Sequence, residues 1–179
     1  MPDYPIHFVC THDEAKALLP QQEKFWVSNC GCREGKGTCS QSRMDVCLIF
    51  KGDIGSSGST IKEVDRAFVE GIFKEAEDKL LVARPYRNDT DKNTVDGLCF
   101  CCNDCCGYFL DPTETCDKGK FIEKTDMDAC IDCGECVPVC YFKARKMAER
   151  HLEVDRQKCY GCGLCASVCP IECIEMIER

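Results

Sequence analysis

With 179 residues and a formal net charge of −8 from 23 basic and 31 acidic side chains, the chain has room for one domain or two small ones and lacks the basic patch a nucleic-acid binder needs. No apolar run reaches the ~18 residues of a membrane-spanning helix. The opening Met-Pro-Asp-Tyr-Pro-Ile-His has neither the basic lead nor the apolar stretch of an export signal, so a cytoplasmic location is expected. Twenty cysteines dominate the composition, and many are adjacent or two apart. That spacing suits a metal gathering sulfur from one loop better than it suits a disulfide framework.

In chain order, His12 or Asp13 to Leu19 predicts a first helix, ended by Pro20. Phe25, Trp26 and Val27 predict a buried strand or helix end leading into a first cysteine group, Cys30, Cys32, Cys39 and Cys47. Lys51 to Ser59, rich in glycine and serine, predicts a flexible loop. A second helix is expected with Ser59 or Thr60 as its cap and Ile61, Val64, Phe68, Ile72 and Ala76 on its apolar face. Arg87 to Asp96 is a polar connection into a second cysteine group, Cys99, Cys101, Cys102, Cys105 and Cys106. Together these elements predict a small α-rich, cysteine-rich module over residues 1–115, its helix bringing the two groups to one place.

Those nine cysteines are candidate ligands of a further iron–sulfur centre drawn from both groups, with zinc as the main alternative. Neighbours along the chain point in different directions. One member of each pair Cys101-Cys102 and Cys105-Cys106 therefore ligates while the other packs, or the centre is larger and less regular than a cube. Arg33, next to Cys32, is either a cation that lowers thiol pKa and balances cluster charge or an ordinary surface arginine. Cys10, Cys116 and Cys173 stand alone and read as buried small hydrophobes or idle thiols.

From residue 116 to 179 the cysteines fall into an internal repeat. Cys130, Cys133, Cys136 and Cys140 read C-x2-C-x2-C-x3-C, and Cys159, Cys162, Cys165 and Cys169 repeat that spacing before Pro170. A tight loop brings three closely spaced thiolates onto three corners of an iron cube, and Gly134, Gly161 and Gly163 suit the positive φ angles of such a loop. Zinc ribbons pair separated C-x2-C knuckles instead. The fourth cysteine of each run belongs to the other cluster. One set is thus Cys130, Cys133, Cys136 and Cys169, and the other is Cys159, Cys162, Cys165 and Cys140. Phe142 to Arg150 predicts a short helix, His151 to Asp155 a strand, and Ile171, Ile174 and Ile177 a helical turn with an edge strand.

From about Thr125 onward the chain resembles a two-cluster bacterial-type ferredoxin domain. The resemblance implies a pseudo-twofold α+β fold, two [4Fe–4S] clusters and one-electron transfer at low potential. Tyr141 departs from it, standing where the family usually has proline after Cys140. The N-terminal half is similar to modules that precede dicluster ferredoxin domains in iron–sulfur proteins of anaerobes. The motifs are the C-x-C-R of Cys30 to Arg33, Cys47 to Phe50, and the crowded run Cys99 to Cys106.

No G-x-G-x-x-G fingerprint, Ser-His-Asp order or H-E-x-x-H pattern is visible, and three histidines leave little material for a histidine-based active site. The sequence therefore predicts an electron-transfer protein rather than an enzyme. Each cube adds a net charge of about −2, so a redox partner with a basic patch is expected. Two alternatives remain: a redox enzyme whose N-terminal iron–sulfur centre is the reactive site, and a zinc-stabilised interaction subunit of a redox complex.

Overall fold

The computed structural model describes residues 5–53, 58–111 and 113–179. Its N-terminal part is built on a sheet. Helix α1 (His12–Ala17) starts with a capping box, in which Thr11 Oγ1 accepts from Glu14 N at 3.2 Å and the Glu14 carboxylate accepts from Thr11 N at 2.9 Å. Strand β1 (Lys24–Ser28) leads into α2 (Gly31–Lys36), which Gly37 ends at φ +85°. Then follow β2 (Cys47–Ile49), β3 (Lys62–Asp65), α3 (Arg66–Asp78), β4 (Val82–Arg87) and β5 (Val95–Cys101). The strands form one five-stranded sheet in the order β3-β1-β2-β5-β4, with every neighbouring pair antiparallel.

This corrects the expected α-rich module. Lys62–Asp65, assigned to the helix from its apolar period, pairs with β1 as an edge strand. The helix begins only at Arg66, because the Asp65 side chain accepts from Phe68 N at 2.9 Å and outcompetes Ser59 or Thr60 as the cap. Residues 54–57 of the expected glycine- and serine-rich loop lie outside the described residues. The polar connection expected after Arg87 closes the β4–β5 hairpin through Asn88 N to Thr94 O at 2.9 Å. Helices α1 and α3 cover a core of Phe25, Val27, Leu48, Ile72, Leu98 and Phe100.

Beyond β5 lie the short helix α4 (Gly107–Leu110), β6 (Phe121–Thr125), β7 (Arg145–Ala148), β8 (His151–Val154), α5 (Leu164–Ser167) and β9 (Ile174–Glu178). β6 pairs with β9, and β7 with β8, as two antiparallel ribbons. The helix expected over Phe142–Arg150 is instead β7 and the hairpin turn after it. Glu149 and Arg150 take φ +49° and +74°, as a two-residue hairpin of the primed type requires. Pairing with β8, including Lys146 to Glu153 at 2.7 Å, overrides the helix propensity of the segment.

A second core joins the two parts. Val9 and Val82 pack with Cys101, Cys106, Cys116, Val139 and Leu164. The chain enters the second part along Val9, whose N–H donates to Asp117 O at 3.0 Å. At Gly119 a Cβ would lie 2.5 Å from Val9 O, so only glycine fits that close approach.

Candidate metal centres

The C-terminal cysteines line two cavities. Cys130, Cys133, Cys136 and Cys169 surround one, and Cys140, Cys159, Cys162 and Cys165 surround the other. Each cavity thus takes three cysteines from one run and the last cysteine of the other. Positive φ angles make the loops: Asp132 at +53° and Gly134 at +78° in the first run, Gly161 at +83° and Gly163 at +80° in the second. A Cβ on Gly161 would lie 2.1 Å from Phe121 O, so glycine is required there for space as well as for φ. Asp132 holds the same region of φ without being glycine. Its carboxylate accepts from Leu152 N at 2.7 Å and pairs with His151 Nδ1 at 3.0 Å.

Residues 123–176 match the family model described as a 4Fe-4S dicluster domain. This stretch is a ferredoxin-like 4Fe-4S domain. No curated protein matches the chain. The donor chemistry fits iron–sulfur clusters, since the eight cysteines of the two runs are free and thiolate is the usual ligand of such clusters. Burial pushes Cys162 and Cys165 up to about 12, so their thiolates need a bound cation to form at neutral pH.

Arg145 and the placement of Cys173 had no clear signal in the sequence. Arg145, only 3% exposed, lies on β7, and its Nη1 donates to Cys136 Sγ at 3.3 Å. Its Nη2 meets Glu123 at 2.5 Å and Thr125 Oγ1 at 2.7 Å, and both Arg145 and Glu123 line the second cavity. Cys173, expected to be idle, lies 3.5 Å from Cys169 Sγ and lines the first cavity as a fifth cysteine. Tyr141 N, the N–H gained where proline was expected, donates to Val139 O at 3.2 Å, and the ring packs edge-on against Phe109. Phe142 stacks on Tyr160 with centroids 4.4 Å apart, and Tyr108 and Phe109 of α4 close this aromatic wall.

The nine candidate cysteines of the N-terminal part divide rather than gather. Cys39, Cys102 and Cys105 come together, with Sγ distances of 3.6 Å from Cys39 to Cys102 and 3.5 Å from Cys102 to Cys105. Cys32 is a hydrogen-bonding neighbour of Cys30 and Cys106, and Cys101 of Cys106. Cys47 pairs with Cys99, and His7 Nε2 lies 3.8 Å from Cys99 Sγ. The adjacent cysteines therefore point apart as expected: Cys102 and Cys105 toward Cys39, Cys101 and Cys106 toward Cys32. Cys10 and Cys116 are buried in the two cores, as small hydrophobes are.

Each of two sulfur sets faces a buried arginine. Arg33 is fully buried, which removes the surface reading, and Cys30, Cys39, Cys102 and Cys105 face its charge. Arg84, missed in the sequence, donates from Nη1 to Cys106 Sγ at 3.1 Å and to Cys101 Sγ at 3.7 Å. It also lies 4.4 Å over the Tyr108 ring. No helix among the described residues is long and apolar enough to cross a membrane.

Proposed function

We propose that this protein is a one-electron carrier in which Cys130, Cys133, Cys136 and Cys169 hold one [4Fe–4S] cluster and Cys159, Cys162, Cys165 and Cys140 hold the other. A further thiolate-bound centre lies in an N-terminal module of residues 1–115, followed by the ferredoxin unit of residues 116–179. The observation that carries this reading is the exchange of the last cysteine between the two cavities. Each bound cube would accept and release one electron at a time, and four cysteine ligands leave no iron open to a substrate. A pseudo-twofold relation between the halves is supported by the matched positive φ angles at Asp132 and Gly161, and at Gly134 and Gly163. It is supported as well by the two antiparallel ribbons.

The chain's own residues suit this work. Arg145 places a cation against Cys136, where it favours the more negative, reduced state of that site. The stacked Phe142 and Tyr160 pack with Cys101, Cys106 and Cys162 in one cluster, so the second cavity and the N-terminal sulfurs are neighbours across an aromatic wall. The first cavity opens outward instead. Cys133 is exposed, and Ile131 (60%) and Ile171 (41%) are exposed beside it with Glu135, while Met127 (51%), Asp128 and Glu172 line the adjoining depression that shares Ile171. An apolar centre with an acidic rim suits a redox partner that presents a basic patch. A cytoplasmic location in an anaerobe is part of this reading, since cubes of this kind are labile to oxygen.

Replacement of the shared fourth ligands tests the reading. In Cys140→Ser the electron paramagnetic resonance signal of the cluster held by Cys159, Cys162 and Cys165 should change or vanish while the other persists. Loss of the cluster held by Cys130, Cys133 and Cys136 instead would overturn the assignment.

A further inference from the structure

Asp104 sits between Cys102 and Cys105 in the turn after β5. Its carboxylate accepts from Lys36 Nζ at 2.8 Å and from Ser40 N at 3.1 Å, and Gln41 Nε2 donates to Asn103 Oδ1 at 3.3 Å. These bonds fasten the loop after α2 over the turn and bring Cys39 against Cys102 and Cys105. The three sulfurs all lie within 4.8 Å of one another, two of the pairs at 3.6 and 3.5 Å. That spacing discriminates between metals. Thiolates sharing one tetrahedral ion, at a metal–sulfur distance of about 2.3 Å, stand about 3.8 Å apart. Thiolates on separate corners of an iron cube stand roughly 6 Å apart. Among the described residues, no three of the eight C-terminal cysteines approach one another as closely as this set does.

Charge points the same way. Arg33 is fully buried; Nη2 donates to Phe100 O at 2.9 Å, Nη1 donates to Arg43 O, and Nε has no hydrogen-bond partner. The groups that face its charge are cysteines, Cys39, Cys102 and Cys105 among them. A buried cation needs a buried anion. Three thiolates around a divalent ion carry a net single negative charge, which Arg33 cancels. A fourth thiolate would restore an excess of negative charge, so the remaining position of the tetrahedron suits a neutral ligand such as water.

We propose that Cys39, Cys102 and Cys105 bind a single thiophilic divalent ion, Zn²⁺ or Fe²⁺, with Arg33 as its buried counter-charge. This rests on the reading that the N-terminal module holds a metal centre, and it makes that centre one ion rather than a third cube. The ion ties the loop after α2 to the end of β5, a clasp between segments more than sixty residues apart in sequence.

The test is the metal and acid-labile sulfide content of the full chain, prepared without oxygen, beside Cys105→Ser and Cys39→Ser. The wild type should hold about eight Fe and eight sulfides for its two cubes, plus about one further Zn or Fe with no matching sulfide. Each variant should lose only that further ion. Where a variant fails to fold, Co²⁺ exchanged into the wild-type site reads the same arrangement through sulfur-to-cobalt charge-transfer bands and tetrahedral ligand-field absorption. About twelve Fe and twelve sulfides, with four of each lost in Cys105→Ser, would overturn the proposal. So would eight Fe with no further metal and no cobalt bands. A wild type that holds the single ion but lacks the eight Fe would support this site and sink the electron-carrier reading.

Discussion

Replacement of Arg145 by methionine should destabilise the protein chiefly through the carboxylate it abandons. Glu123 is 3% exposed on its side chain and takes Arg145 Nη2 at 2.5 Å. Breaking a buried pair by removing one partner costs about 3–5 kcal/mol, because an uncompensated charge stays behind. Here Arg156 Nε remains 3.4 Å from the other carboxylate oxygen, and Thr125 Oγ1 still donates at 2.5 Å, so the loss belongs at the lower end, about 3 kcal/mol. Adding Glu123→Gln removes the stranded charge and should return about 2 kcal/mol of that loss. Anaerobic urea unfolding, followed by far-ultraviolet circular dichroism and by cluster absorbance, measures both values. A double variant as unstable as Arg145→Met alone would refute the argument, since the cost would then come from lost packing rather than from an unpaired carboxylate. Arg145→Met should also lower a cluster potential. A unit charge roughly 5–10 Å away at an effective dielectric constant of about 20 is worth about 2–3 kcal/mol, or roughly 100 mV for one electron.

Three further outcomes are expected. Cys173→Ala removes a thiol that donates to the Cys169 sulfur at 3.5 Å, so a redox titration should find the cluster of Cys130, Cys133 and Cys136 at a more negative potential; an unchanged value refutes the donor role. Burial lowers the pKa of His12, whose Nε2–H donates to Leu81 O at 2.7 Å, and His7 is pushed down to about 4 by burial and the Arg84 cation. Below the ordinary histidine value of about 6.5 the unfolded chain therefore binds protons that the folded chain refuses. Stability should fall with pH in that window by at most about 1.4 kcal/mol per unit for each histidine. Urea unfolding at several pH values should show a shallower slope in His12→Gln, and an unaltered slope would discard the assignment. Ile131→Lys, at a side chain 60% exposed beside the first cavity, should leave stability within about 0.5 kcal/mol. It should slow electron transfer to a small basic cytochrome used as probe, most strongly at low salt; equal rates would remove that face from the docking surface.

The grouping of the C-terminal cysteines around two cavities was legible because the pattern is written locally: three cysteines and two positive-φ positions fit in one loop, and Gly134, Gly161 and Gly163 take the expected φ. Arg145 and Glu123 were not legible, because their meeting depends on how the β6 and β7 segments come together, and neither residue is unusual in its own stretch of sequence. Cys173 was hidden for a similar reason. Four residues beyond Cys169 it lies outside the repeat, and only the turn before β9 returns it to the cavity.

The sheet of the N-terminal part was hidden because Cys47, Cys99 and Cys101 are strand residues as well as candidate ligands. In β5 and the residue after it, Leu98, Phe100 and Cys102 face the core under α1 and α3, while Cys99 and Cys101 pack on the side of the dicluster domain. This is the two-residue alternation of a pleated strand, and it divides a crowded run between two environments. The turn that follows continues the division, sending Cys105 back to Cys102 and Cys106 to Cys101. Sulfur on the first face sits with Arg33 in the helix-covered core. Sulfur on the second face sits with Arg84, against Tyr108 and the aromatic wall. The alternation therefore separates a site suited to hold one ion and fasten a loop from sulfurs placed beside the second cluster cavity. A shift of one residue in the pairing of β5 with β4 would exchange the two roles, which makes that register as consequential for function as any single ligand.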